Sequence, residues 1–307
     1  MTTHNLPLVS VIVPVYNGEH RLPALLSALH AQTYPNLEIL IVDNNSKDGT
    51  AAVIRADPSV QYVWEGLQQG CSAARNAALE VAQGEILAFT DDDCIPAPEW
   101  VSEGVSCLSR GDYHLVGGNI EFFFSQLPGY AEWLDASQFL NQAKYVSTKF
   151  AVTANLFVRR EVFEQIGSFN GTVVSGGDVI FCRRACEHGF LIGYAEAARI
   201  AHPTRKTLKS LLDKAWRTGY GAGQLKAQCQ GKLIQTYLSV NDYRLPQLNF
   251  QRLQDMGLEL SYHQKLLSTL LNYLVVTLPR NFGCIKGYID SRPIKRHKLY
   301  SNYQSSC

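Results

Sequence analysis

Three consecutive aspartates, Asp91, Asp92 and Asp93, follow an apolar run at Glu85–Thr90 that is typical of a buried strand. Carboxylates gathered this closely repel one another, and the end of a core strand is a costly place for unbalanced negative charge. A divalent cation that also binds a diphosphate would balance it, because Mg²⁺ and Mn²⁺ prefer carboxylate and phosphate oxygens. The alternative interpretation is a solvated acidic loop, and the triplet alone favours that alternative.

Two further residues have the chemistry to hold a nucleotide. Asp43 ends an apolar run and precedes small polar residues that favour a turn; its carboxylate can accept hydrogen bonds from a nucleobase imide or a ribose hydroxyl. Arg75 lies early on a predicted helix after Gly70, where a guanidinium and free backbone N–H groups both attract an anion. Taken singly, Asp43 is better explained as a loop cap and Arg75 as a surface arginine.

Two more residues could act on protons or on a metal. Asp178 follows the glycine pair Gly176–Gly177, where it is either a helix N-cap or a general base that hydrogen-bonds an acceptor hydroxyl. His202 follows a strand-like region and precedes Pro203. A lone histidine is more often structural, but a neutral imidazole could add a ligand to a manganese site built on aspartates.

The first hundred residues predict the elements that would position these side chains. Apolar strand-like runs alternate with amphipathic helical segments, a pattern that indicates a parallel, doubly wound sheet covered on both faces. In such sheets ligands bind beyond the carboxyl ends of the strands, so Asn17, Asp43 and Asp91–Asp93 should converge there. The predicted strands are Leu8–Val15, Leu37–Val42, Val60–Trp64 and Glu85–Thr90, and the predicted helices are Glu19–Gln32, Asp48–Arg55 and Cys71–Gln83.

After Pro98 the pattern is less regular and becomes helical from Thr207 onward. The predicted elements are strands at Leu115–Phe124, Ala151–Val158 and from Leu191, and helices at Pro128–Phe139, from Arg159 and at Asp178–His188. The apolar stretch Leu266–Leu278 is shorter than the ~20 residues that a membrane-spanning helix needs. We expect it to form a buried helix, with insertion at a membrane interface as the alternative.

The charge is unevenly divided along the chain. Residues 1–202 carry 12 Lys and Arg against 22 Asp and Glu, whereas residues 203–307 carry 16 against 5. We therefore predict a catalytic domain at 1–202 and a basic helical C-terminal region at 203–307. The basic region either packs on the acidic body or seats the protein on an anionic membrane face. The cations nearest the C-terminus are Lys286, Arg292, Lys295, Arg296 and Lys298.

Other classes of protein are disfavoured. The acidic body would repel nucleic acid, and no recognition motif accompanies the basic region, so no nucleic-acid partner is expected. The eight cysteines form no CxxC pair, and no secretory signal is visible in the first residues. We expect reduced thiols in a cytoplasmic protein, with peripheral contact at the cytoplasmic membrane face as an extension of that expectation.

Five ordered segments together resemble the family 2 glycosyltransferases. They are Val9–Asn17 (VSVIVPVYN), Ile41–Thr50 (IVDNNSKDGT), Gly70–Asn76 (GCSAARN) with Phe89–Asp93 (FTDDD), Thr153–Arg160 (TANLFVRR), and Gly177–Val179 (GDV), and the resemblance extends to His202. It covers roughly two-thirds of the chain, in the order that the family shows. No motif is strong singly; the order of the segments is what makes the resemblance specific.

The resemblance implies a Rossmann-like glycosyltransferase A-type fold with a mostly parallel sheet. It also implies an inverting, metal-dependent hexosyl-type transferase. The donor would be a nucleotide-diphospho-sugar, with UDP-sugars favoured, and the acceptor a saccharide or a lipid-linked hydroxyl. By position, the donor contacts would be Pro14, Tyr16, Asp43, Arg75, Asp91, Asp92 and Asn155; Mn²⁺ or Mg²⁺ would be held by Asp93, Asp91 and His202; Asp178 would be the general base.

One departure from the family pattern concerns the acceptor. Many members have Glu before the base, where this chain has Gly177, so a carboxylate that would contact the acceptor is absent. Two rival functions remain open from the residues. A nucleotide-binding protein without transfer activity would keep Asp43 and the triplet but would not need Asp178. A sugar nucleotidyltransferase is less favoured, because no Gly-rich basic loop follows the first strand and the first cation there is Arg21.

Overall fold

The fold is built on one eight-stranded sheet. The structure is a computed structural model that describes residues 6–228 and 248–291. The strands are β1 Val9–Val15, β2 Leu37–Asp43, β3 Gln61–Trp64, β4 Ile86–Thr90, β5 Ile95–Pro96, β6 Leu115–Phe123, β7 Asn155–Arg159 and β8 Ile192–Pro203. The four strands predicted before Pro98 are confirmed, with bounds that differ by a residue or two.

The strand order is β3-β2-β1-β4-β7-β6-β8-β5. The pairs β1–β2, β1–β4, β2–β3 and β6–β8 are parallel, and the pairs that β7 makes with β4 and β6, and β5 with β8, are antiparallel. The sheet is thus mixed, with parallel pairs in the majority. Because β7 runs against its two neighbours, β4, β6 and β8 all end at the same edge as β1 and β2.

Helices cover both faces of the sheet. Those of the first two-thirds of the chain are α1 Leu22–His30, α2 Thr50–Arg55, α3 Cys71–Leu79, α4 Trp100–Arg110, α5 Tyr130–Gln138, α6 Gln142–Ser147, α7 Arg160–Ile166 and α8 Gly177–Glu187. Val11 and Val13 of β1 pack in a core with α1 and α4, whereas Ile12 faces a second core with α3, α7 and α8. Burial on both faces explains why β1 is apolar at nearly every position.

The C-terminal part is helical, as predicted. It comprises α9 Leu208–Gln228, α10 Phe250–Asp255, α11 Tyr262–Leu271, a π-helical segment Asn272–Thr277 and α12 Leu278–Asp290, the last three of which are consecutive. The predicted division at residue 202 falls at the end of β8. The tail cations from Arg292 to Lys298 lie outside the described residues.

The prediction of a buried helix at Leu266–Leu278 is wrong for most of its leucines. Leu266, Leu270 and Leu274 are exposed, and the buried side of this stretch consists mainly of Ser268, Asn272, Val276 and Thr277. The apolar run was interpreted as core because hydrophobicity alone does not say which face of a helix meets the rest of the protein.

None of the helices within residues 6–228 and 248–291 has both the length and the apolar character needed to cross a bilayer.

Candidate active site

Acidic residues and a histidine meet at the edge where the parallel strands end. Asp43 closes β2 and lies beside Val15 of β1 in parallel register. Asp91–Asp93 follow β4 directly, and His202 is the penultimate residue of β8. The predicted convergence of strand-end side chains is therefore present in the structure.

Asp93 and His202 form the part of the site that can hold a metal ion. An oxygen of Asp93 lies 3.8 Å from Nε2 of His202. The other ring nitrogen, Nδ1, lies 2.7 Å from the carbonyl oxygen of Pro203, and the edge of Phe122 packs against the ring with centroids 6.0 Å apart. A proton on Nδ1 that is donated to this carbonyl leaves the Nε2 lone pair directed at Asp93, as a metal ligand requires.

Cys94 belongs to the same cluster but is a poor ligand. The ligand atoms of Asp93, Cys94 and His202 all lie within 4.8 Å of one another. Burial and the neighbouring carboxylates raise the pKa of the Cys94 thiol well above its usual range, so forming the thiolate that metal binding needs would be costly. The donor set that fits an ion is one carboxylate and one imidazole, which suits Mn²⁺ with diphosphate oxygens completing the shell.

Asp91 is held by Arg75 rather than by the Asp93–His202 pair. Nη2 of Arg75 lies 2.6 Å from Oδ1 of Asp91. The Asp93–Cys94–His202 group does not include Asp91. Asp91 as a metal ligand and as a donor contact remains a prediction.

The Arg75 side chain is poised to meet an anion. It is buried on α3, and its Nε has no hydrogen-bond partner within the described parts of the chain. A buried N–H without an acceptor is costly. A phosphate oxygen reaching this nitrogen would remove that cost while adding a charge-assisted hydrogen bond.

The Asp92 side chain contacts Arg21, a residue that the sequence prediction did not assign to the site. Its carboxylate pairs with Arg21, whose Nη2 lies 2.5 Å from Oδ2, and Arg21 also donates to the Tyr16 carbonyl. Burial raises the pKa of Asp92 to about 6, against the lowering effect of Arg21 and with a further raising effect from its two neighbouring aspartates. The predicted donor contact by Asp92 is replaced by this internal pair. The signal was present in the sequence, since Arg21 is the first cation after β1.

Asp178 lies in the first turn of α8 beside the Arg75–Asp91 pair. Its oxygens accept hydrogen bonds from the backbone N–H groups of Val179 at 2.9 Å and Thr153 at 3.4 Å. Burial raises the pKa of Asp178, and the positive charge of Arg75 opposes that rise. A carboxylate with a raised pKa at the rim of an anion site has the character of a general base.

Gly177 lies where α3 and α8 approach each other. A Cβ at this position would lie 2.5 Å from Oγ of Ser72 on α3. The family's usual glutamate would therefore require the Ser72 side chain to adopt another rotamer.

Asp43 and Tyr16, the predicted base and ribose contacts, lie at the ends of β2 and β1. Asp43 is buried, and its oxygens accept hydrogen bonds from the Ser46 backbone N–H at 2.9 Å and the Tyr62 hydroxyl at 3.1 Å. Each carboxylate oxygen can accept a further bond. Tyr16 is exposed just beyond β1, whereas Pro14 is buried within that strand, so Pro14 shapes the site through the backbone.

Asn155 does not reach the site, and the prediction of a sugar contact is wrong. It lies beside Thr90 in the antiparallel register of β7, but its side chain is fully buried. Its amide donates to the carbonyls of Asn119 and Ala198 at 2.8 and 2.9 Å, and its oxygen accepts from the indole of Trp100 at 2.8 Å. These bonds give Asn155 a structural role.

Asn44 is a second residue that sequence reasoning missed. Its side chain donates to the carbonyls of Glu65 and Gln68 and accepts from the N–H of Gly70. It thereby fixes the loop that leads into α3, the helix that carries Arg75. Nothing in the sequence distinguished Asn44 from the neighbouring turn residues.

Comparison with known proteins agrees with this geometry. Residues 10–167 match the family model of glycosyl transferase family 2. Glycosyltransferase AglE of Haloferax volcanii is 40% identical over 230 residues, which cover 73% of this chain and 75% of that protein. The Escherichia coli UDP-Glc:alpha-D-GlcNAc-diphosphoundecaprenol beta-1,3-glucosyltransferase WfgD is 34% identical over 116 residues, which cover 37% of this chain and 46% of that protein.

Two solved structures have the same fold. Mannosyltransferase PcManGT from Pyrobaculum calidifontis, in complex with GDP-Man and Mn²⁺, superposes with a TM-score of 0.60 at 21% identity, covering 94% of this chain and 86% of that chain. TarS 1-349 of S. aureus, in complex with UDP-GlcNAc, gives a TM-score of 0.54 at 17% identity, covering 92% and 89%. The predicted glycosyltransferase A-type architecture is confirmed, and the chain belongs to glycosyl transferase family 2.

Proposed function

We propose that the protein transfers a sugar from a nucleotide-diphospho-sugar to a hydroxyl of a saccharide or lipid-linked acceptor, with inversion at the anomeric carbon. The observation that carries this proposal is the arrangement at one sheet edge. A carboxylate–imidazole pair, a buried arginine with a free N–H and a carboxylate of raised pKa lie together there. The three parts match a metal, a diphosphate and an acceptor hydroxyl.

The nucleoside would lie over the ends of β1 and β2. Asp43 can accept from an imide N–H, which uracil and thymine both offer, and Tyr16 is exposed beside it. We favour a UDP-sugar, an inference that the UDP-Glc and UDP-GlcNAc named for two similar proteins support. The GDP-Man bound to the Pyrobaculum calidifontis mannosyltransferase keeps a guanine donor as an alternative.

The diphosphate would meet Arg75 and a divalent ion held by Asp93 and His202. When bound, Mn²⁺ or Mg²⁺ neutralises the developing charge of the leaving nucleoside diphosphate as a Lewis acid. Arg75 would donate from Nε to a phosphate oxygen while keeping its pair with Asp91. Asp91 thereby orients the guanidinium.

Asp178 would remove the proton from the acceptor. In its ionised form the carboxylate accepts the hydroxyl proton while the acceptor oxygen bonds to the anomeric carbon. The bond from that carbon to the diphosphate oxygen breaks on the opposite face, and the electron pair leaves with the nucleotide. A single displacement inverts the configuration and needs no nucleophile from the protein.

The acceptor is inferred from relatives rather than from the site. The name of the E. coli relative specifies a sugar linked to diphosphoundecaprenol, which is a lipid carrier. Gly177 removes one carboxylate from the acceptor side, so hydroxyl recognition would depend on other residues. Peripheral contact with a membrane would bring the protein to an acceptor of this kind.

Nucleotide binding without transfer is the alternative function. It would use Asp43, Arg75 and the metal pair but would give Asp178 no chemical role. The position of Asp178 beside the Arg75–Asp91 pair favours transfer, because burial there raises its pKa and suits it to accept a proton.

Donor binding is tested by thermal stability with UDP, dTDP and GDP, each with and without Mn²⁺. A ligand of the native state raises the midpoint by mass action. We expect a shift that requires both one nucleotide and the metal and is lost in Asp93→Asn. The matched control is Asp57→Asn, which breaks the Asp57–His30 pair, at 3.0 Å, away from the site. Equal shifts in Asp93→Asn and the control would contradict the assigned metal position.

A further inference from the structure

The helical stretch from α11 to α12 buries polar side chains and exposes apolar ones, which is the reverse of an ordinary surface helix in water. Its buried side includes Ser268 at 1% exposure and Asn272 at 2%, and its outer side is apolar. The outward residues recur at helical spacing over about 35 Å, the length of the 24 residues from Leu266 to Ile289. We call this surface the outer apolar face; it consists of Leu266, Leu270, Leu274, Phe282, Ile285 and Ile289, which are 48 to 61% exposed.

Close packing against α9 explains how α12 is held while this face stays uncovered. Gly219 and Gly223 of α9 lie against the backbone at Arg280 and Cys284, and Gly283 and Gly287 of α12 lie against the backbone of α9 at Trp216 and Tyr220. Glycines at these contacts let the two backbones approach closely. The large apolar side chains of α12 are therefore not used in this contact and point away from it.

The charge around the outer apolar face is mainly positive. No Asp or Glu occurs between Leu260 and Ile289 in the sequence, whereas Lys265, Arg280 and Lys286 do. Arg280 and Lys286 are exposed, and Asp290 at the end of α12 lies 2.6 Å from Lys286. A large apolar face bordered mainly by cations complements a surface that is apolar inside and anionic outside.

Helix α9, on which α12 packs, contacts the loop that precedes the proposed base. Gly221 of α9 packs on Ser175, and Leu225 packs on Gly176. Asp178 lies two residues after Gly176. The outer apolar face is thus connected to the acceptor side of the site through α12 and α9.

We propose that the outer apolar face lies in the interface of a lipid bilayer that contains anionic headgroups. In this arrangement Phe282, Ile285 and Ile289 insert among the upper acyl chains, and Lys265 and Arg280 meet lipid phosphates. The helices lie along the bilayer surface. This inference does not depend on the chemistry proposed for the site, since it needs neither nucleotide nor metal.

The test is flotation of the full-length protein with vesicles of phosphatidylcholine, with and without phosphatidylglycerol, in the absence of nucleotide and metal. We expect binding to the anionic vesicles and weaker binding to phosphatidylcholine alone. The variant Leu270→Glu/Ile285→Glu should lower the partition into anionic vesicles at least about tenfold, because two charges would enter the apolar layer. Its thermal midpoint should stay close to wild type, since both positions are exposed.

The matched control is Leu67→Glu/Leu127→Glu, which adds the same charges at leucines 95% and 90% exposed outside the outer apolar face. It should float like wild type. No flotation of the wild type with anionic vesicles at low salt would overturn the proposal, as would equal flotation of the two variants. A wild-type dimer that the Leu270→Glu/Ile285→Glu variant dissociates, without loss of flotation, would assign the face to a second copy of the chain instead.

Discussion

Asp178 experiences two opposing influences on its protonation. Burial favours the neutral acid and raises the pKa, whereas the positive charge of Arg75 favours the carboxylate. The proposed base must be ionised to accept a proton. Arg75 would therefore have two roles, binding the donor phosphate and favouring the ionised form of Asp178. Binding of an anionic donor beside Arg75 would offset part of that charge and move the carboxylate toward a stronger base.

We predict that turnover falls as the pH drops through a range above that in which an ordinary aspartate titrates, since the pKa of Asp178 is raised and the protonated form cannot act as a base. In Arg75→Met the loss of the positive charge should move this acid limb to higher pH. The measurement is the pH profile of kcat for transfer, with Arg110→Met, an exposed arginine on α4, as the control. An acid limb at the same pH in both variants would show that Arg75 does not act on Asp178.

The site residues that lie at the ends of strands were predictable. Asp43, Asp93 and His202 lie at the ends of three strands that finish at one edge of the sheet, so their proximity results from the order of strands and helices. Asn155 was not predictable in the same way. Its backbone lies at that edge beside Thr90, but the direction of its side chain depends on Trp100, which is 55 residues away in the sequence.

Among the secondary-structure elements, α5 and α9 are joined by a buried ion pair. Nζ of Lys214 lies 2.6 Å from Oδ1 of Asp135, and both side chains are almost fully buried. Asp135 also accepts from the backbone N–H of Arg205 at 2.9 Å. The pair fixes the start of the C-terminal helices against the catalytic part of the chain.

We predict that Lys214→Met lowers the free energy of unfolding by about 3 to 5 kcal/mol, because it leaves the Asp135 carboxylate buried without its cation. The matched control is Lys209→Met, which breaks the exposed i,i+4 pair with Asp213 on the same helix. That change should cost less than about 0.5 kcal/mol. Urea denaturation measures both, and equal costs for the two variants would be inconsistent with a role for the buried pair.

Element prediction succeeded where apolar periodicity was clean and failed where packing hides it. The strands before Pro98 were predicted directly from their β-branched apolar runs. Helix α4 was missed, since Gly104 in its middle weakens the helical signal. The structure explains that glycine: a Cβ there would collide with the ring of Phe157.

The described residues form one sheet with helices on both faces, and the C-terminal helices pack on α5 and on the loop before α8. The division at residue 202 remains a prediction from charge and pattern. Contacts cross it at several points, since Thr204 donates to Glu132 of α5 at 2.8 Å and Gly221 packs on Ser175. Burial would by itself raise the pKa of Glu132, but hydrogen bonds from Ser125, Gly129 and Thr204 hold it at about 2.

These contacts predict that residues on both sides of position 202 unfold together. Hydrogen exchange followed by mass spectrometry across a urea series should give one midpoint for peptides from β1 and β4 and for peptides from α9 and α12. The physical reason is that loss of α9 would expose the Asp135 and Glu132 carboxylates along with Leu134 of α5. Two well-separated midpoints would instead support independently stable domains.

The uneven distribution of charge along the chain was visible in the sequence, but the surface that the basic region contacts was not. Composition alone left packing on the acidic body and contact with a membrane as equal alternatives. The structure adds the outer apolar face, which composition could not locate, because the inward turn of Ser268 and Asn272 depends on how the helix meets its neighbours.

The most direct test of the proposed chemistry is the comparison of transfer and donor binding in Asp178→Asn. With donor and Mn²⁺ saturating and acceptor present, we predict that nucleotide release by transfer falls about 10² to 10⁴-fold. The dissociation constant of the donor, measured by calorimetry, should stay within about twofold of wild type. Asp213→Asn, an exposed aspartate on α9, should match wild type in both. Transfer by Asp178→Asn at the wild-type rate would contradict the assignment of Asp178 as the base and with it the central claim.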